Sequence, residues 1–136
     1  MILQQKTNKY LETAVLTASP NQLMMMLYDG AIRFCRMGVE AIKQHDYAEA
    51  NNNLLKCQNI IREFMMTIDQ GAPVADGLIR LYDYFISRLI EANTQKSAEP
   101  AEEVLGYLVE LKTTWLLASR EVSGVSVGVG VGASHG

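Results

Sequence analysis

The sequence carries no surplus of basic residues: 12 Lys and Arg stand against 15 Asp and Glu, for a net charge of −3. A nucleic-acid binder normally needs a basic stripe to displace counterions from phosphates. No nucleic-acid partner is therefore expected, and no docking on anionic lipid. No run approaches the roughly 20 consecutive apolar residues of a membrane span, so membrane insertion is not expected either. The opening MILQQKTNKY has no long apolar stretch behind its charges and does not read as a secretory signal. Cysteine is scarce. Cys35 and Cys57 form no CxxC, and no second pair stands by to build a zinc site. Each falls at an apolar-facing helical position, where a small buried hydrophobe is the expected role. These absences describe a cytoplasmic, reduced, soluble protein.

Catalytic patterns are missing as well. The two histidines, His45 and His135, fall in a helix–helix turn and in a glycine-rich tail. There is no HExxH and no Glu-x-x-His of a di-iron bundle. The glycines between 124 and 132 precede no helix N-terminus that would cradle phosphate. Glu102 and Glu103 lie in the first turn of a helix, where compensation of the helix dipole accounts for them. An enzyme is not expected, nor a cofactor or a metal.

What is present is helical periodicity in four long segments. Ser19, Pro20 and Gln22 form a capping box with proline at the first helical position, opening a helix expected to reach about His45. Asp46 and Glu49 start a second helix that ends near Asp69, and QGAPVADG is a loop. A third helix spans about Val74 to Thr94. Pro100 suits the first turn of a fourth, ending near Arg120 or Glu121. Short connections between long helices give an all-α, antiparallel four-helix bundle over residues 19–121. Residues 1–18 are a short helix or an extended arm, and the Gly/Val-rich residues 122–136 a disordered tail.

Placed at about 100° per residue, the apolar positions exceed a single core stripe. On the first helix Leu23, Leu27, Ala31, Phe34, Gly38 and Ala41 form one stripe, and Met24, Tyr28, Ile32, Cys35, Val39 and Ile42 a second. On the third helix Leu78, Leu81, Phe85, Leu89 and Ala92 read as core, flanked by Ile79, Tyr82, Ile86 and Ile90. On the fourth, Val104, Leu108, Leu111 and Trp115 are accompanied by Leu105, Val109 and Leu116. The second helix is more conventional, with Leu54, Cys57, Ile61, Phe64, Met65 and Ile68 facing in. The phrase Leu-Tyr-Asp-x-x-Ile occurs twice, at Leu27–Ile32 and Leu81–Ile86. In both copies Leu is read as core and Tyr and Ile as flank, since a tyrosine ring supplies area while its hydroxyl tolerates water. Three ways of covering the surplus are open: ordinary core, a homodimer, or a groove for a partner helix.

The stretches TASPNQLMMMLYDGAIRF (Thr17–Phe34), CQNIIREFMMTID (Cys57–Asp69), LYDYFISRLIEAN (Leu81–Asn93) and VLGYLVELKTTW (Val104–Trp115) resemble the signature of the FliS family of flagellin-specific export chaperones. The resemblance runs in one register from about residue 8 to 120. It implies a helical bundle that binds the disordered C-terminal segment of flagellin, prevents premature polymerisation and supports delivery to the flagellar type III export gate. An adaptor or dimerisation module binding a folded regulatory partner is the alternative. The flank stripes supply the candidate partner-binding residues Tyr28, Ile32, Ile79, Tyr82, Ile86, Ile90, Leu105, Val109 and Leu116, and the arm adds Tyr10, Leu11 and Val15.

Overall fold

A computed structural model describes residues 19–127. They form four α-helices: α1 Pro20–Lys43, α2 Tyr47–Thr67, α3 Ala75–Gln95 and α4 Ala98–Val127. Residues 1–18 and 128–136, and with them Tyr10, Leu11 and Val15, lie outside the described residues.

The helix starts follow from their caps. The Gln22 N–H donates to Ser19 Oγ at 3.2 Å and the Ser19 N–H to Gln22 Oε1 at 2.9 Å, which closes the capping box. Asp46 Oδ1 accepts from the Glu49 N–H at 3.2 Å and opens α2. The two tight connections use left-handed residues, His45 at φ 60° and Lys96 at φ 54°. Around each, N–H groups fold back onto the preceding helix: Asp46 onto the Ala41 carbonyl at 2.8 Å, and Ser97 onto that of Ala92 at 3.1 Å. Between α2 and α3, Asp69 Oδ1 accepts from the Gly71 N–H at 2.9 Å and shapes the loop. The last helix runs past the expected end at Arg120 or Glu121 to Val127. Pro100 is the final proline of the chain, so no missing N–H forces a stop, and each added residue contributes its own hydrogen bond.

Each helix packs against two neighbours, α1 on α2 and α4, and α3 on α2 and α4. Cross-helix pairs fix the antiparallel register. On the α1–α4 seam Lys43 pairs with Glu102 at one end and Asp29 with Lys112 at the other. On the α2–α3 seam Asn93 Nδ2 donates to Asn51 Oδ1 at 2.6 Å. On the α3–α4 seam Tyr84 and Arg88 both donate to Glu103 Oε1 at 2.7 Å. The α1–α2 seam is closest at Gly38, where a Cβ would stand 2.6 Å from Leu54 Cδ2. A helical glycine costs up to about 1 kcal/mol against alanine, and this close approach is what it permits.

Phe64, Phe85, Leu54, Ile61, Leu89, Leu108 and Val104 are fully buried at the centre. Each such side chain contributes about 1.5–3 kcal/mol when withdrawn from water. The two thiols are free and buried, with Cys35 donating to the Ala101 carbonyl at 3.3 Å. A hydrogen bond with Cys35, reinforced by burial, pushes the Cys57 thiol far above its ordinary pKa. It behaves as a small apolar group rather than a nucleophile.

Candidate partner-binding surfaces

The structure corrects the helical wheels first. Tyr28 and Tyr82 are each only 4% exposed and Ile32 is buried, whereas Leu27 and Leu81 are half-buried and Leu23 is exposed. The stripe containing Tyr28, Ile32, Cys35, Val39 and Ile42 is the one that α1 turns to the core. The stripe containing Leu27, Phe34 and Gly38 faces the α2 side, as the Gly38–Leu54 approach and the 3.1 Å from a Gly30 Cβ to Ile60 Cδ1 locate it. On α1 the wheel is therefore off by about one residue; on α3 it holds, with Phe85, Leu89 and Ala92 buried and Ile79, Ile86 and Ile90 half-buried or exposed, and Tyr82 alone departs from its flank. Their hydroxyls do not seek water: they lie 3.5 Å apart, at the long limit of a hydrogen bond. The twice-written phrase thus places its two tyrosines against each other across the diagonal of the bundle. Burial, and then the Tyr28 hydroxyl, raise the pKa of Tyr82 well above the ordinary phenol value.

Phe64 of α2 stands between these rings, its centroid 4.7 Å from Tyr28 and 5.6 Å from Tyr82. The row continues through Phe85, 6.1 Å from Tyr82, to Tyr107, 5.7 Å further on. Above the tyrosines opens a cavity of about 490 Å³ at the end of the bundle where α1 and α3 begin and α2 ends. Met24, Ile68, Leu78, Leu111 and Trp115 line it together with Tyr28, Phe64 and Tyr82, and Asp69 is the single charged residue among its walls. Trp115 stands at its rim, 36% exposed. The sequence pattern puts Leu78 in the core stripe of the third helix, and Leu111 and Trp115 on one of the two apolar stripes of the fourth. Of the methionine run Met24–Met26, Met24 lines the cavity, where a flexible thioether suits an irregular surface.

A second groove, of about 540 Å³, lies between α1 and α4. Ile32, Val109 and Leu116 line it with Met37, and its polar lining is Asp29, Arg33, Arg36, Lys112 and Thr113. Leu105 is half-buried on the α1-facing side of α4 by its helical spacing to Lys112 and Leu116. A third surface follows the α2–α3 seam, where Ile79 and Ile86 are half-buried and Ile90 is 46% exposed. The Asn51–Asn93 bond and the helical spacing place exposed Leu55 of α2 on this same face. The candidates from sequence therefore divide among a cavity floor, a charged groove and an apolar seam. They do not converge on one patch.

Among the described residues no group of three or more His, Cys, Asp or Glu is arranged to hold a metal ion, and no helix is long and apolar enough to cross a membrane. The charged cluster on the α3–α4 seam is an internal tie. Hydrogen bonds from Tyr84 and then Arg88 hold the Glu103 carboxyl below its ordinary pKa.

The family model described as Flagellar protein FliS matches residues 3–122. The chain belongs to the FliS family. It is 34% identical over 115 residues to the flagellar secretion chaperone FliS of Bacillus subtilis, covering 85% of this chain and 86% of the relative. It is 37% identical over 115 residues to the flagellar secretion chaperone FliS of Salmonella typhimurium, covering 82% and 85%. The flagellar secretion chaperone FliSB of Pseudomonas aeruginosa is 30% identical over 115 residues, covering 83% and 91%. All four helices and all three surfaces fall within the span matched by the family model, apart from the last residues of α4.

Proposed function

We propose that this FliS-family protein is a cytoplasmic export chaperone that binds the disordered C-terminal segment of flagellin, keeps it from polymerising early and supports its delivery to the type III export gate. The observation that carries the reading is the end cavity: a space of about 490 Å³ walled mostly by aromatic and aliphatic side chains, with Trp115 at its rim. A subunit that polymerises through amphipathic helices exposes apolar side chains while unassembled. A bundle with a cavity between its helices at one end offers a place to shelter them, in the manner of a helix laid in a groove. The seam with Ile79, Ile86 and Ile90 supplies further apolar area for a client that wraps the bundle. The client orders itself on binding, and that entropic cost lowers affinity relative to buried area, which favours release at the gate.

The arm residues Tyr10, Leu11 and Val15 give residues 1–18 an apolar edge in sequence, and we infer that this arm competes with flagellin for one groove. Titration calorimetry with the flagellin C-terminal region tests the reading. Saturable binding with a negative heat-capacity change is expected. Absence of binding, together with a stable homodimer or capture of a folded partner, replaces the chaperone with a dimerisation or adaptor module. Deleting residues 1–16 should leave the melting curve of the bundle intact and tighten flagellin binding. Equal affinity with and without the arm refutes the competition.

A further inference from the structure

We propose that the α1–α4 groove is a docking site for an acidic amphipathic helix. The inference rests on the chaperone reading for the existence of a helical client, and it adds which part of a client this groove selects.

Shape comes first. The stretch of α1 from Asp29 to Met37 measures roughly 12 Å at 1.5 Å per residue, about two turns of a docked helix. Ile32 is its buried floor, and Val109, Leu116 and Met37 offer apolar contact along the walls, Val109 37% exposed. Two turns present apolar side chains at i, i+3 or i+4, and i+7, which matches such a slot. The described fold is wholly helical and offers no sheet edge. A bound peptide therefore has no strand to pair with and satisfies its own N–H and C=O groups best as a helix.

Charge then selects the occupant. The chain as a whole is negative, at −3, but three cations and one carboxylate line this groove. Lys112 is paired with Asp29. Arg33 and Arg36 are exposed and take part in no ion pair among the described residues. Arg33 borders the groove at its outer edge, its guanidinium 4.9 Å from the Phe34 ring centroid. The end cavity has the opposite character, with Asp69 its one charged wall residue. The two sites therefore select different stretches of a chain: an uncharged apolar one at the end of the bundle, and one carrying Asp or Glu beside its apolar stripe in the groove.

Two designed helical peptides of about 15 residues serve as probes. They share apolar residues at i, i+3, i+4 and i+7; one has Glu on both flanks of that stripe and its twin has Lys. In calorimetry at low salt the full chain should bind the Glu peptide about tenfold tighter than the Lys twin, and the difference should shrink in ~0.5 M salt. The double variant Arg33→Glu, Arg36→Glu should reverse the order while its thermal melt stays that of the parent, because both side chains are exposed. Leu116→Asp should weaken both peptides. Twins that bind alike, binding of neither, or a preference that survives the charge reversal overturns the inference. Flagellin C-terminal region measured on the same samples separates the two readings. Flagellin binding unaffected by the charge reversal, with twins alike, sinks the groove alone. Binding of the Glu peptide with no binding of flagellin sinks the flagellin reading alone.

Discussion

The two ends of the bundle are built from different residues. At the end with the two tight turns, Ala41 of α1, Ala50 of α2, Ala92 of α3 and Ala101 of α4 are all buried members of the core. Methyl groups let backbones approach closely, and the Lys43–Glu102 and Asn51–Asn93 pairs tie the outside. At the other end the corresponding positions are Met24, Phe64, Ile68, Tyr82 and Trp115, and a cavity of about 490 Å³ stays between the helices. Large side chains hold helices apart as much as they fill space. Small residues pack the sealed end, and the open end is the one with a cavity and exposed apolar rim.

The contrast breaks most visibly if the sealed end is overfilled. Ala101→Leu should destabilise the chain by about 3 kcal/mol in urea unfolding, since fully packed methyl sites have no room for added methylenes. Ala118→Leu, on the same helix but lining the cavity, should change stability by less than about 0.5 kcal/mol. Equal losses at the two positions would mean that the ends do not differ in packing. Gly38→Ala comes next. Alanine gains up to about 1 kcal/mol in helix propensity, but the new methyl meets buried Leu54 at 2.6 Å, so a net loss of about 1–2 kcal/mol is expected. A more stable variant would show that α1 and α2 can separate there at little cost.

Much of the fold was legible before any coordinates, and the reason is local chemistry. The capping box at Ser19, the Asp46 cap and the Gly/Pro loop near residue 71 are short-range signals, and each stands where it was expected. The orientation of α1 was not legible. When an apolar arc covers more than half a helix, hydropathy locates the arc but not its middle. Hydropathy alone favours Leu27 over Tyr28 as the inward residue. Gly30, Gly38 and Ala41 carried the missing information, because small residues mark where a neighbouring helix comes close. The end cavity was less legible still: it arises from the mismatch of side chains on four helices, and no single helix encodes it.

The open end sharpens the comparison at smaller energies. Trp115→Ala should cost less than about 1 kcal/mol of stability, because its ring is partly in water at the rim of a cavity rather than packed on all sides. It should weaken binding of the flagellin segment by about tenfold, in line with aromatic anchors at interfaces. A large stability loss with binding intact would return Trp115 to the core. The smallest effect belongs to the α3–α4 seam. Glu103 has a lowered pKa in the fold, so its contribution is present at neutral pH and above the ordinary glutamate value near 4.3. It fades as pH falls through the lower folded value. Glu103→Gln should therefore lower the melting temperature slightly at pH 7 and flatten its decline below about pH 4. An unchanged acid limb would show that the seam's charges are too well hydrated to matter.

Trp115 is the only tryptophan in the chain, and it stands at the mouth of the cavity. Its emission spectrum therefore reads one location without any label. An occupant that dries the rim should shift the emission to shorter wavelength, and unfolding should shift it to longer wavelength. Filling of the open end and loss of the fold are thus separable, by the sign of a colour change, in a single cuvette.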